Sequence, residues 1–126
     1  MKIRAIAFTS LAMCIAVGFT QQAGANECDE QRGEKVYTKC AACHTLEEGV
    51  HTAGPSLFKL FGRKAGKVKG FPFSYAFESS DLIWNAETLS AFLENPMGYI
   101  PGSVMPFGGL KNTEERDALV CWMAGL

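Results

Sequence analysis

The pentapeptide Cys40-Ala-Ala-Cys-His44 constrains this chain more than any other stretch. Two thiols and an imidazole within five residues serve a metal cage, a redox dithiol or the covalent attachment of a haem. A structural zinc site takes four ligands, usually from a second CxxC or a paired histidine. Here Cys28, Cys121 and His51 stand singly. A thioredoxin-type dithiol belongs in a βαβ setting, and no alternating strand pattern is present. Haem attachment accounts for all five residues. Cysteines at i and i+3 share one helix face and can form thioethers with the two haem vinyl groups. His44, at i+4 from Cys40, then projects toward the iron as an axial ligand.

The start of the chain places this chemistry outside the cytoplasm. Lys2 and Arg4 precede an apolar run from Ala5 to Phe19, and Ala23-Gly-Ala25 forms a small-x-small cleavage site before Asn26. This is the pattern of a secretory signal, with an apolar run shorter than a membrane span; an uncleaved anchor is the alternative. Residues 1–25 are therefore expected to be removed, leaving one domain, 26–126, in the periplasm with no membrane span. Cys14 leaves with the signal. So do Lys2 and Arg4, and the mature chain keeps 10 basic against 13 acidic residues, a formal charge of −3. That balance argues against nucleic acid or an anionic membrane as partner. A domain of this size has a modest core of its own, which a large apolar cofactor would enlarge.

The apolar periodicity predicts an all-α chain. A first helix over 29–43 carries Gly33, Val36, Tyr37 and Cys40 at 3–4 spacing. The stretch 45–73, broken by glycines and by Pro55 and Pro72, reads mostly as loop. A helical turn is expected near Ser74–Ser80. Asn85 caps the next helix, whose stripe is Leu89, Phe92 and Leu93 and which ends at Asn95-Pro96. A second Gly/Pro-rich loop runs from about Tyr99 to Gly109. The last helix starts at Asn112, with Glu115 as capping-box partner, and buries Leu119, Trp122 and Met123.

A haem iron with one histidine needs a sixth ligand or an open position, and His51, Met97, Met105 and Met123 are the candidates. Met123 belongs to a buried helix stripe and Met97 follows Pro96 near the surface. Met105 lies in an irregular loop between Pro101 and Pro106, where helix packing does not require it.

Taken together, "GEKVYTKCAACHT", "GPSLFKLFGRKAG" and "ETLSAFLENPMGYIPGSVMPFGGL" resemble, in order and spacing, a class I cytochrome c of the short bacterial type similar to the mitochondrial protein. The resemblance covers residues 27–126. It implies the cytochrome c fold, with first and last helices crossing and the chain wrapped around one covalent haem c. It makes Cys40 and Cys43 the thioether anchors and His44 and Met105 the iron ligands. Pro55 is where a carbonyl accepts the second ring N–H of His44, and Arg63 and Trp84 are where a haem propionate is held. Gly33 and Tyr37 match residues that cross Leu119 and Trp122, and His51 a histidine that ties its loop to backbone near Lys69. Phe73 and Phe92 stand where many members have tyrosines, and Met97, Gly98 and Val104 where the mitochondrial protein has lysines.

The implied function is a monomeric one-electron carrier, not an enzyme, exchanging electrons with redox proteins. Its expected partners are a quinol-oxidising complex, a terminal oxidase, a reaction centre or a periplasmic dehydrogenase. The rivals are a haem subunit of a larger enzyme and an open-haem peroxidase or sensor. In an oxidising compartment Cys28 and Cys121 either pair in a disulfide or stay free. Against pairing, Cys121 lies about 200° round the helix from Leu119.

Overall fold

The computed structural model describes residues 27–126; the expected signal, 1–25, lies outside them. Among the described residues the elements are α1 (Glu30–Ala41), α2 (Tyr75–Glu78), α3 (Ala86–Glu94), α4 (Pro96–Tyr99) and α5 (Thr113–Ala124). Extended pairing is limited to one isolated antiparallel bridge, Lys64 with Ile83. The all-α expectation holds, and no described helix is long and apolar enough to cross a membrane.

Each main helix starts where a short polar side chain satisfies a free backbone N–H. Asp29 accepts from Arg32 N, with Glu30 in the first turn and Lys39 in the last, both favourable to the helix dipole. Asn85 accepts from Thr88 N at 2.9 Å while Thr88 Oγ1 accepts from Asn85 N at 2.9 Å, a reciprocal capping box. Asn112 accepts from Glu115 N at 2.9 Å. The expected return bond from Glu115 is not made, because its carboxylate pairs with Lys39 Nζ at 2.7 Å across to α1.

Two boundaries differ from the periodicity. Helix α1 stops at Ala41 rather than 43, and the chain continues through one more turn, with His44 N donating to Cys40 O at 2.9 Å. Asn95 ends α3 as expected, but it also caps α4, a single turn with Pro96 at its first position. Proline is suited there, since its fixed φ is helical and its missing N–H would have had no partner. The sequence Pro-Met-Gly-Tyr carries no apolar period, which is why it reads as loop.

The core is built where α1 crosses α5, with α3 packed against α5. Val36, Leu89, Phe92, Leu93 and Leu119 are all buried there. The crossing is close because Gly33 has no side chain. A Cβ at Gly33 would collide with the Ala118 carbonyl and Trp122 Cβ. One turn further along α1, the Tyr37 and Trp122 rings pack with centroids 5.1 Å apart.

Cys28 and Cys121 are joined in a disulfide, with Cα atoms 5.8 Å apart. Cys121 turns away from the crossing only if Leu119 is the centre of contact. The seam instead runs through Ala118 and Trp122, and Cys121, three residues from Ala118, flanks it. In the loop-entropy account, cross-linking residues separated by 93 positions contributes roughly 4–5 kcal/mol at most.

Gly33→Ala tests the crossing. The neighbours are backbone and a Cβ, neither of which can swing aside, so overpacking should cost at least roughly 1–3 kcal/mol. Guanidinium denaturation of the haem-loaded protein measures it, and an unchanged midpoint would show that the helices can slide apart freely.

Candidate functional site

The CxxCH residues straddle the end of α1. Cys40 is half-buried and Cys43 exposed, and both thiols line one cavity of about 490 Å³. Burial pushes the Cys40 thiol above its ordinary value, partly offset by the charge of Lys39. The turn beyond the helix is tied down by Gly54 N, which donates to Cys43 O at 2.7 Å, and by the Tyr37 hydroxyl, which donates to His44 O at 3.2 Å.

His44 enters the same cavity with a defined tautomer. Its Nδ1 lies 2.7 Å from the Pro55 carbonyl. A carbonyl only accepts, so Nδ1 is the donor, and in the neutral ring the lone pair is then on Nε2, where a metal would bind. The ring is also held flat by Gly54: a Cβ there would lie 2.7 Å from Nδ1 and 2.8 Å from Nε2. Pro55 lines the cavity as well.

A second wall comes from the loop between α4 and α5, through Val104, Met105, Pro106 and Phe107. Met105 is half-buried, and its carbonyl accepts from Phe107 N at 2.8 Å. The far end of this loop is fixed by Arg116, a residue that sequence reasoning missed. Its buried guanidinium donates to Leu110 O at 2.7 Å and to Ser90 Oγ at 3.1 Å, tying the loop to α3 and α5. Nothing in the helix periodicity marks it, since a charged residue one turn after a cap reads as solvent-facing.

The third wall is polar. Arg63 and Trp84 are brought side by side by backbone pairing: Trp84 N donates to Arg63 O at 2.9 Å and Gly62 N to Trp84 O at 2.7 Å. The Arg63 guanidinium is spread over the Phe58 and Ser56 carbonyls, at 2.9 and 3.1 Å. Burial pushes it down from its ordinary value, so an anion in the cavity would favour its charge. The buried Ser74 hydroxyl, which lines the same cavity, has no hydrogen-bond partner among the described residues. Ser74 sits at the start of α2 yet makes no capping bond; from sequence it would be read as a cap, and so it was missed.

These residues fit a haem. The cavity lies within the range of about 300–1,000 Å³ usual for cofactor sites and is mostly apolar. Two thiols and an imidazole with a free lone pair reach it from one side. A partly desolvated arginine and an unpartnered buried hydroxyl suit carboxylates. The alternatives weaken. Cys28 and Cys121 are bonded to each other, which removes them as zinc ligands, and no cluster of metal-binding side chains occurs among the described residues.

All seven expected site residues, Cys40, Cys43, His44, Pro55, Arg63, Trp84 and Met105, line the one cavity. Of the other ligand candidates, Met123 also lines it from α5, buried in the core. Met97 and His51 do not. His51 accepts from Ser56 N through Nδ1 and meets Lys69 O through Nε2, both at 3.0 Å, the loop tie that the resemblance implied. Phe73 and Phe92 both face the cavity.

An all-α fold around a cavity with paired thiols and a histidine defines a covalent haem protein. The cytochrome c family model matches residues 30–126. The cytochrome c of Stellaria longipes is 44% identical over 102 residues, covering 79% of this chain and 94% of its own. That of Gibberella zeae is 42% identical over 97 residues, covering 75% and 92%. The solved structure of cytochrome cH from Methylobacterium extorquens aligns with a TM-score of 0.72 at 31% identity, covering 78% of this chain and 99% of that one. The chain belongs to the cytochrome c family, carries a covalently attached haem c and is an electron carrier.

Gly54→Ala should displace the His44 ring, because the added methyl would occupy the space of both ring nitrogens. The expected outcome is a clear loss of haem-loaded protein, or, in what does load, a changed low-spin spectrum. Normal yield with an unaltered spectrum would show that the ring can tilt away without consequence.

Proposed function

We propose that the chain is a periplasmic one-electron carrier, not an enzyme, in which His44 and Met105 would be the ligands that hold the haem iron. When bound, the haem supplies the Fe(II)/Fe(III) couple. The observation that carries the reading is Met105 itself. It faces the same cavity as a histidine fixed in the metal-binding tautomer, on a loop braced at its far end by Arg116. A thioether is a soft donor that favours the reduced metal, so Met105 would raise the potential. Two protein ligands leave no open position for a substrate, which favours a carrier over an enzyme. Pro55 would keep His44 basic and aligned. Arg63 and Ser74 would stabilise a buried carboxylate. The export signal pattern and the Cys28–Cys121 disulfide support an oxidising compartment. The test is spectroscopic: the oxidised protein should show the far-red sulfur-to-iron charge-transfer band, and Met105→Ala should abolish it. A wild-type protein without the band would favour the open-haem reading.

Phe92 refines the expectation for the potential. It is buried, lines the cavity and packs on Phe77, Trp84 and Tyr99, so no hydroxyl reaches Met105 from this position. Phe92→Tyr would bring one, and a hydrogen bond to the sulfur would weaken its donation to Fe(III). Its potential, measured by redox titration, should rise; an equal or lower value would mean that the new hydroxyl bonds elsewhere.

Docking to redox partners should rest on apolar contact more than on charge. The two lysines that line the cavity are both paired, Lys39 with Glu115 and Lys64 with Asp81, and Lys111 donates to the Glu94 carbonyl. Met97 and Val104 are exposed at 51% and 75%. With few charges left to screen, the rate of electron transfer to a periplasmic partner should fall only weakly with salt. A steep fall in stopped-flow rates between low and physiological ionic strength would contradict this.

A further inference from the structure

Ser103 is buried, at 2% exposure, and its hydroxyl donates to the thioether sulfur of Met97 at 3.3 Å. A thioether is a weak acceptor, so a buried hydroxyl is satisfied here by a soft, oxidisable partner. Met97 is also the most accessible methionine of the described residues: Met105 is half-buried and Met123 buried. Both ends of the contact belong to one bonded unit. Ile100 N donates to Pro96 O and Ser103 N to Ile100 O, each at 3.0 Å, and Met105 follows two residues later. The turn between them has little freedom. Gly102 adopts a φ of +88°, and a Cβ there would lie 3.2 Å from Ala76 Cβ on α2.

We propose that Met97 is an oxidant-sensitive modification site whose sulfoxidation is transmitted through Ser103 to the loop that carries Met105. The co-reactant is a hydroperoxide. Its distal oxygen is transferred to the sulfur, so that an S–O bond forms as the O–O bond breaks, and the remaining alkoxide leaves with the proton as an alcohol. Sulfur loses two electrons and the peroxide gains them; a thiol-dependent sulfoxide reductase reverses the change. The sulfoxide is larger and far more polar than the thioether. At a half-exposed position it turns toward water, and the Ser103 hydroxyl loses its acceptor while still buried. An unsatisfied buried hydroxyl is costly, and the cost falls on the segment 97–105, which loosens. Only the spectroscopic consequence rests on Met105 being an iron ligand. Loosening should lower the pH at which the far-red band is lost by about one unit or more.

The experiment treats the haem-loaded ferric protein briefly with tert-butyl hydroperoxide. Peptide mass mapping, the pH midpoint of the far-red band and amide exchange between Gly98 and Met105 are then followed. The expected result is one oxygen on Met97 before any on Met105, a lowered midpoint, and faster exchange in this segment. Methionine sulfoxide reductase should restore both. Met97→Leu should show neither change on treatment, and Ser103→Ala, which removes the hydroxyl itself, should start near the wild-type midpoint and be barely moved by oxidation. Oxidation of Met105 first, Met97 sulfoxide without faster exchange, or an undiminished response in Ser103→Ala would each overturn the proposal. A far-red band absent before treatment would instead sink the ligand assignment, and amide exchange would still decide the coupling.

Discussion

Gly33 lets the backbone of α1 come against the Ala118 carbonyl of α5, and that approach fixes where the walls of the cavity stand. The end of α1 presents Cys40, and the turn beyond it Cys43 and His44. The facing side of α5 presents Leu119 and Met123 to the same space. Helix α3 packs on α5 and adds Leu89, Phe92 and Leu93. Moving the two helices apart by the width of a methyl group would therefore shift the thiols relative to the apolar surfaces that receive the macrocycle. Interiors packed to crystal-like density transmit such shifts rather than absorb them.

Around this frame the loops are positioned by hydrogen bonds more than by apolar contact. The Pro55 carbonyl sets the proton of His44, and the two ring nitrogens of His51 hold Ser56 and Lys69 at a fixed separation. Arg116 does the same for the loop of Met105 from a buried position without a carboxylate partner, relying on a carbonyl and a hydroxyl. A buried guanidinium tolerates this because its several donors can be shared among neutral acceptors, whereas a missing acceptor would be costly. The polar wall of Arg63 and Ser74 differs in kind: its groups keep capacity for a ligand.

Much of this was legible in the sequence because the signals are local. The helix starts at Asn85 and Asn112 are capping patterns, and CAACH is a spacing that few chemistries use. The resemblance supplied the pairing of His44 with Pro55 and of Arg63 with Trp84, which no local pattern carries, since both depend on loops folding back. Four features stayed hidden for related reasons. Helix α4 is too short to show a period. Glu115 matched a capping box, but a lysine on another helix competed for its carboxylate. Ser74 and Arg116 look like ordinary surface residues until the chain is folded over them. The helical angle from Leu119 does not reveal the disulfide, because the seam passes one residue earlier, through Ala118.

The Cys28–Cys121 bridge closes the chain between those residues into a covalent ring, with all of the fold but the last turn of α5 inside it. Tension applied to residues outside the ring would run from Cys28 straight to Cys121 through a sulfur–sulfur bond. The loops that carry His44 and Met105 would not bear that load; only the last turn of α5, with Trp122 and Met123, lies outside the bridge. In mechanical terms the loops are insulated from the ends of the domain: a tether or a surface attached there would pull on a bond and on the last turn of α5, and leave the loops slack.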